Sequence, residues 1–175
     1  QDAILQRLLE GGCFPYIRSR PFNLLANPAK LPRCIFVKAV ESAPFVPPAE
    51  LQVAGFESEF AAGLAALKKL TKGKVHLVYR KGSECKAFTD ALGVEKHTVE
   101  GPHPASNASL HMQKIDPVRS SDDIIWTITA RDTAAIGRLL AKGRHMTERV
   151  VSIAGPGILG EGTGYYKLRN GFPVS

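Results

Sequence analysis

Cysteine is scarce in this chain: Cys13, Cys34 and Cys85 are odd in number, widely spaced and form no C-x-x-C pair. Neither a disulfide framework nor a thiolate zinc site is supported, and buried free thiols are expected instead. His76, His97, His103, His111 and His145 show neither H-x-x-x-H nor H-E-x-x-H spacing, so no metal site is expected. No apolar run reaches the roughly 18 residues of a membrane span. The opening Gln1-Asp2-Ala3-Ile4 lacks the basic and apolar regions of a signal peptide. A cytosolic chain without a transmembrane segment is expected, and such a chain has no use for the glycosylation sequon Asn107-Ala108-Ser109.

What is present suits an ordinary folded domain, since 175 residues with 44% hydrophobic and 22% charged side chains allow one core plus a fragment. The formal charge of +7 raises the question of nucleic acid. Its clusters are modest, however. Lys68, Lys69, Lys72 and Lys74 end one predicted helix, and Arg138, Lys142 and Arg144 end another, where cations complement the helix dipole. No aromatics interleave with them, so no nucleic-acid partner is expected. An acidic protein partner or an anionic surface beside a membrane uses the charge as simply.

The periodicities predict an alternating order. Ile4, Leu5, Leu8 and Leu9 share a helix face capped by Asp2 and ended by Gly11-Gly12. Cys34 to Val40 reads as a buried strand followed by a loop from Pro44 to Pro48. Phe56, Phe60, Leu64, Leu67 and Leu70 recur at helical spacing up to Gly73, and Val75 to Tyr79 is the next strand. Ser83 is expected to cap a helix through Leu92, and Glu95 to Val99 to form a weaker strand. Gly101 to Val118 breaks the pattern, with one short helix around Leu110 to Ile115. A strand over Ile124 to Thr129, a helix over Thr133 to Ala141 closed by Gly143, and a last strand over Val150 to Ala154 complete the alternation. The fold class is therefore α/β, a mostly parallel sheet with helices on both faces. Ligands of such sheets bind beyond the carboxyl ends of the strands.

Gly155, Gly157 and Gly160 match G-x-G-x-x-G after a strand, but the dinucleotide fingerprint needs a helix next and an acid about 20 positions on. Tyr165-Tyr166-Lys167-Leu168-Arg169-Asn170-Gly171 reads instead as hairpin chemistry, the first hairpin of a following β domain cut short.

Three loops are candidate sites. Tyr16-Ile17-Arg18-Ser19-Arg20-Pro21-Phe22 gathers two guanidiniums and two aromatics, a set that grips an anionic or planar ligand; its plainer reading is a connecting loop with solvated arginines. Glu41-Ser42-Ala43-Pro44 lies at the carboxyl end of the first buried strand. Gly101-Pro102-His103-Pro104-Ala105-Ser106-Asn107 is a Pro-stiffened loop at another strand end.

Arg18-Ser19-Arg20-Pro21-Phe22, Ile35-Phe36-Val37, Phe60 through Leu70 with Gly73-Lys74-Val75, Gly101-Pro102-His103-Pro104-Ala105, Asp116-Pro117-Val118, Trp126-Thr127-Ile128 and Arg149-Val150-Val151-Ser152-Ile153-Ala154-Gly155-Pro156 are collinear over nearly the whole chain. The set resembles the A subunit of the sodium-translocating NADH:quinone oxidoreductase. That resemblance implies an internal fragment of a longer peripheral protein, on the cytoplasmic side of the bacterial inner membrane. The complex it implies oxidises NADH, reduces ubiquinone and exports sodium. The implied organisation is an N-terminal helix and connecting loop over 1–33, a Rossmann-like domain over 34–148 and the start of a β-grasp-like domain over 149–175.

A more distant similarity links this domain type to the flavin-binding subunit of respiratory complex I and to the C subunit of the Rnf complex. Those relatives carry a Gly-rich loop before the first strand and a Glu-x-Glu-Pro turn after it. Here Gly11-Gly12-Cys13-Phe14-Pro15 stands at the first position, and Glu41, Ser42 and Pro44, with Ala43 in place of an acid, form at most a vestigial flavin-site turn. FMN binding is not expected, and no catalytic residue is assigned. The resemblance does imply quinone contact around Tyr16, Ile17, Arg18, Arg20, Pro21 and Phe22, with the aromatic rings packing on a quinone and the arginines donating to its carbonyls. The alternative is a docking scaffold for membrane-embedded subunits.

Overall fold

A computed structural model describes residues 1–173; residues 174 and 175, the end of the expected truncated β domain, lie outside the described residues. Helix α1 (Asp2–Glu10) opens the chain and a 3-10 turn follows at Phe14–Tyr16. Strands β1 (Arg18–Arg20), β2 (Leu24–Leu25) and β3 (Cys34–Ala39) lead to helices α2 (Ala49–Val53) and α3 (Glu57–Lys68). Then come β4 (Val75–Arg80), α4 (Lys86–Thr89), β5 (Glu95–Val99), α5 (Ala108–Ile115), β6 (Ile125–Thr129) and α6 (Ala130–Lys142). A separate hairpin, β7 (Glu148–Ile153) with β8 (Gly164–Arg169), ends the described chain.

The main sheet runs β2-β1-β6-β3-β4-β5. Its four strands from β6 to β5 are parallel, as the alternation of strands and helices predicts, while β1 joins β6 antiparallel and β2 joins β1 antiparallel. Ile35, Val37, Leu77, Trp126 and Ile128 point to one face, where α1, α3 and α6 bury them in the larger core. Cys34, Phe36, Val78 and Ile125 point to the other, where Met112 of α5 covers them in a smaller core. Both faces therefore carry helices, as expected, but unequally.

The helix layer is held by a close crossing of α3 and α6. A Cβ placed on Gly63 would stand 2.0 Å from the Thr133 carbonyl oxygen, and one on Gly137 would stand 1.8 Å from that of Glu59. Both positions must be glycine for the backbones to approach this closely. At the amino end of β3, the guanidinium of Arg33 donates through Nε and Nη2 to both carboxylate oxygens of Asp123 and through Nη1 to Asp116. This fork ties the start of β3 to the irregular connection into β6.

Several local expectations are corrected. The segment read as a connecting loop contributes β1 and β2 to the sheet, because a three-residue run of polar side chains carries no apolar alternation to betray a strand. Asp2 sits inside the first turn of α1 without a side-chain capping bond. Ser83 donates its hydroxyl to Glu50 instead of opening a long helix, and α4 is a single turn that buries only Phe88. α6 starts earlier than expected, since Thr129 is its cap and accepts from the Asp132 amide. Finally, β7 pairs with β8 alone and does not extend the parallel sheet.

Candidate functional site

The sheet reverses direction of travel at its centre. From β3 the chain moves outward to β4 and β5, and then crosses back to place β6 on the other side of β3. The carboxyl ends of β3 and β6 thus form the switch point at which open α/β sheets leave a crevice. A cleft of about 550 Å³ opens there, on the face that α5 covers only partly.

Two of the three loops singled out by sequence, Tyr16–Phe22 and Gly101–Asn107, contribute to the lining of this cleft, and the loop from Glu41 to Pro44 lies behind it. β1 lays Arg18 opposite Thr127 and Arg20 opposite Ile125, so both guanidiniums leave the sheet on the cleft face. The Arg20 side chain is steered by Thr127 Oγ1, 3.5 Å from its Nε, and by Ser109 Oγ, 3.1 Å from its Nη1. Burial lowers its pKa, although a guanidinium stays charged at any physiological pH. Among the described residues, no carboxylate forms an ion pair with Arg18 or Arg20. Tyr16 lines the cleft from the 3-10 turn, and burial raises its phenol pKa above the ordinary value.

The second and third loops are joined to each other. The Ser42 hydroxyl donates to Ser106 Oγ and accepts from the Ser106 amide, both at 2.9 Å, and lies 3.2 Å from His103 Nδ1. From the other side, His111 Nε2 donates to the Ala105 carbonyl at 2.7 Å. Asn107 caps α5 by accepting from the Ser109 amide. These bonds hold the Pro-stiffened loop as a wall of the cleft. Glu41 turns back to pair with Lys38 at 2.9 Å, and its carbonyl accepts from Arg80. Glu41 and Ser42 line a neighbouring cleft and Pro44 another, beside Ser152 of the hairpin, so none of the three lines the switch-point cleft.

The remaining expected ligands separate from the site. Ile17 is fully buried in the main core. Pro21 does not line the cleft, and Phe22, 67% exposed, stands outside it beside the exposed Leu24 and Leu25. Sequence reading missed Lys38, Thr127, Thr129 and Asp132, which line the cleft from β3, β6 and the start of α6. Their common signal is position at or near a strand's carboxyl end.

The geometry also bears on a flavin phosphate. Such a group needs free amides on a glycine turn or helix N-terminus. Here the segment between β3 and α2 contains Pro44, Pro47 and Pro48, which offer no N–H. The first turn of α6 is occupied by its own Thr129 and Asp132, the Asp132 carboxylate accepting from Thr129 Oγ1 at 2.7 Å. These residues do not fit a phosphate cradle. The glycines after β7 lead into a 3-10 turn at Gly160–Gly162 and then β8, so no helix completes a dinucleotide fingerprint there.

Comparison with known proteins agrees with the motif pattern. The model described as the NqrA second alpha/beta domain matches residues 1–145. The A subunit of the Na(+)-translocating NADH-quinone reductase of Tolumonas auensis is 35% identical over 158 residues, covering 90% of this chain and 35% of that protein. The protein of the same name from Serratia proteamaculans is 36% identical over 156 residues, covering 89% of this chain and 34% of that protein. The chain spans about a third of the length of these relatives.

Proposed function

The chain belongs to the family of NqrA second α/β domains, and from that premise we propose that it serves a Na(+)-translocating NADH-quinone reductase as a non-catalytic part of the NqrA protein, its switch-point cleft receiving a quinone headgroup. The observation that carries this reading is the cleft itself, which presents Tyr16, Arg18 and Arg20 together with no ion-paired carboxylate on either arginine among the described residues. A quinone is planar and neutral with two carbonyl acceptors. The Tyr16 ring supplies a packing surface, and the guanidiniums supply donors whose hydrogen bonds strengthen as negative charge grows on the carbonyl oxygens. Phe22 and Ile17 take no part in contacting the headgroup. FMN is not a ligand of this domain, and no step of NADH oxidation is assigned to it.

The protein that contains the domain is placed at the cytoplasmic side of the bacterial inner membrane, in contact with membrane-embedded subunits. The hairpin of β7 and β8 is the first of a further β domain. A second reading is favoured by Phe22, Leu24 and Leu25, which are 67%, 63% and 56% exposed beside the cleft. Such an apolar edge suits docking of another protein of the complex.

Calorimetric titration with a short-tailed ubiquinone analogue, with FMN in parallel, tests the proposal. Saturable quinone binding that Arg20→Ala weakens by about 10- to 100-fold is expected, the worth of a hydrogen bond from a charged donor. No quinone binding, or binding indifferent to Arg20, overturns the quinone reading and leaves the docking surface.

A further inference from the structure

The parallel pairing of β4 with β5 does something that sequence spacing does not show. It sets His76 opposite Glu95, with His97 two residues further along the same strand and on the same face. The three side chains converge: His76 Nδ1 lies 3.0 Å from His97 Nε2 and 3.7 Å from Glu95 Oε2. We propose that His76 Nδ1, Glu95 and His97 Nε2 form a binding site for a divalent cation of the zinc type, which clamps the edge strand β5 to the sheet.

The distances suit such an ion. Zinc–nitrogen bonds of about 2.0 to 2.1 Å at tetrahedral angles place two ligand atoms about 3.3 to 3.4 Å apart. The two separations bracket that value, so a few tenths of an ångström of side-chain adjustment completes the set. Two imidazoles and one carboxylate are borderline ligands that favour zinc over magnesium or calcium, which prefer all-oxygen shells. Metals coordinate the neutral imidazole, and burial of both histidines disfavours the charged form.

The second, independent observation is the other side of His76. Its ring is 2% exposed and stacked on Phe36 at a centroid distance of 4.6 Å, so its orientation is fixed. Its Nε2 is buried without a hydrogen-bond partner and faces the Asp116 carboxylate at 3.9 Å. When Nδ1 holds a cation, Nε2 must carry the proton, and a carboxylate facing that N–H is the usual outer partner of a metal-bound histidine. Asp116 is itself fixed by Arg33. Lys74 pairs with Glu95 through Oε1 and leaves Oε2 directed at His76.

β5 has reason to need a clamp, since Glu95, Lys96 and Thr98 are exposed and the strand buries no large apolar side chain. Entry is open, because Glu95 and His97 reach solvent while His76 forms the floor.

Two measurements test the site on the 175-residue chain. Titration with chelator-buffered Zn²⁺ is expected to show one saturable equivalent and a raised melting temperature, with His97→Gln and Glu95→Gln each weakening binding by about tenfold or more. Both positions are solvent-accessible edge-strand residues, so circular dichroism should be unchanged. Co²⁺ in place of Zn²⁺ should give the visible bands of a tetrahedral nitrogen and oxygen site. Absence of saturable binding, equal affinity in the two variants and the parent, or a thiolate-to-cobalt band that assigns the ion to Cys34 would each overturn the proposal.

Discussion

Gly137→Ala is the sharpest test of how the helix layer positions the cleft. On an ordinary exposed helix this change stabilises by about 1 kcal/mol, because glycine costs more backbone entropy than alanine. Here the added carbon would lie 1.8 Å from the Glu59 carbonyl oxygen and 2.6 Å from the Gly63 amide nitrogen. Backbone cannot swing away as a side chain can. Favourable carbon–oxygen contact begins at about 3.3 Å, so α3 and α6 must part by about 1.5 Å. A gap of about 1 Å already forfeits up to half of each dispersion contact, and the crossing buries Phe60, Leu64, Leu67, Ala134 and Ile136. A net loss of about 3 kcal/mol or more is expected, near the upper end for overpacked cores, with a fall in melting temperature of about 6–12 °C. Thermal and urea unfolding measure both. Since α6 carries Asp132 and is capped by Thr129, both on the cleft wall, quinone-analogue affinity should fall as well. A variant as stable as the parent would refute the crossing. Gly63→Ala, whose carbon would meet the Thr133 carbonyl oxygen at 2.0 Å, should be costly too, but the double variant should cost less than the sum, since helices parted for one methyl admit the other.

Glu59 is 4% exposed, and its Oε1 accepts from Lys142 at 2.6 Å with Arg138 at 3.7 Å. The hydrogen bond from Lys142, then that from Ser58, holds its pKa down to about 2 from 4.5. A depressed carboxylate pKa contributes stability above the unfolded value, and the contribution fades as pH falls from 4.5 toward 2. Glu59→Gln should therefore be less stable than the parent at pH 7 by about 2 kcal/mol, allowing for a half-exposed Lys142, and the two should converge by about pH 2 to 3; a constant difference across urea unfolding at each pH would contradict this. Cys34 is buried, and loss of solvent, with Asp116 adding to it, pushes its thiol up to about 12. It should resist a disulfide reagent at pH 8 until the chain unfolds, whereas the less buried Cys85 reacts first; rapid native labelling of Cys34 would show that the smaller core is open.

The fold was legible wherever burial imposes a period. Phe56 to Leu70 keeps one helical face because α3 must meet both the sheet and α6, and Ile35 to Val37 is apolar throughout because β3 is covered on two sides. Legibility failed where polar bonding replaces burial. β1 reads Arg-Ser-Arg and is a strand only because β6 offers it a free edge, which no local pattern announces. Similarly, Ser83 has the chemistry of a helix cap but commits its hydroxyl to Glu50, thirty-three residues away.

The cleft followed the same division. Arg18, Arg20 and Tyr16 could be picked out because guanidiniums and an aromatic in one short segment are conspicuous, and the rule that ligands sit beyond strand ends then directed attention to Glu41-Ser42 and the Gly101–Asn107 loop. What the sequence concealed was which side chains of that segment share a side. Alternation along β1 sends Arg18 and Arg20 to the cleft, whereas Ile17 goes to the core and Phe22 to the surface, so of the expected quinone contacts only Tyr16, Arg18 and Arg20 line the cleft. The same limitation hid the histidine pair. His76 and His97 are 21 positions apart and fit no metal motif, because motifs encode neighbours on one helix or one turn. Ligands brought together across parallel strands are encoded in register, and register is set by hydrophobic residues such as Leu77 and Val78 that take no part in the chemistry. A site of this kind becomes visible only once the strands are paired, which is why the cation-binding variants His97→Gln and Glu95→Gln test the register of β5 as directly as they test the metal.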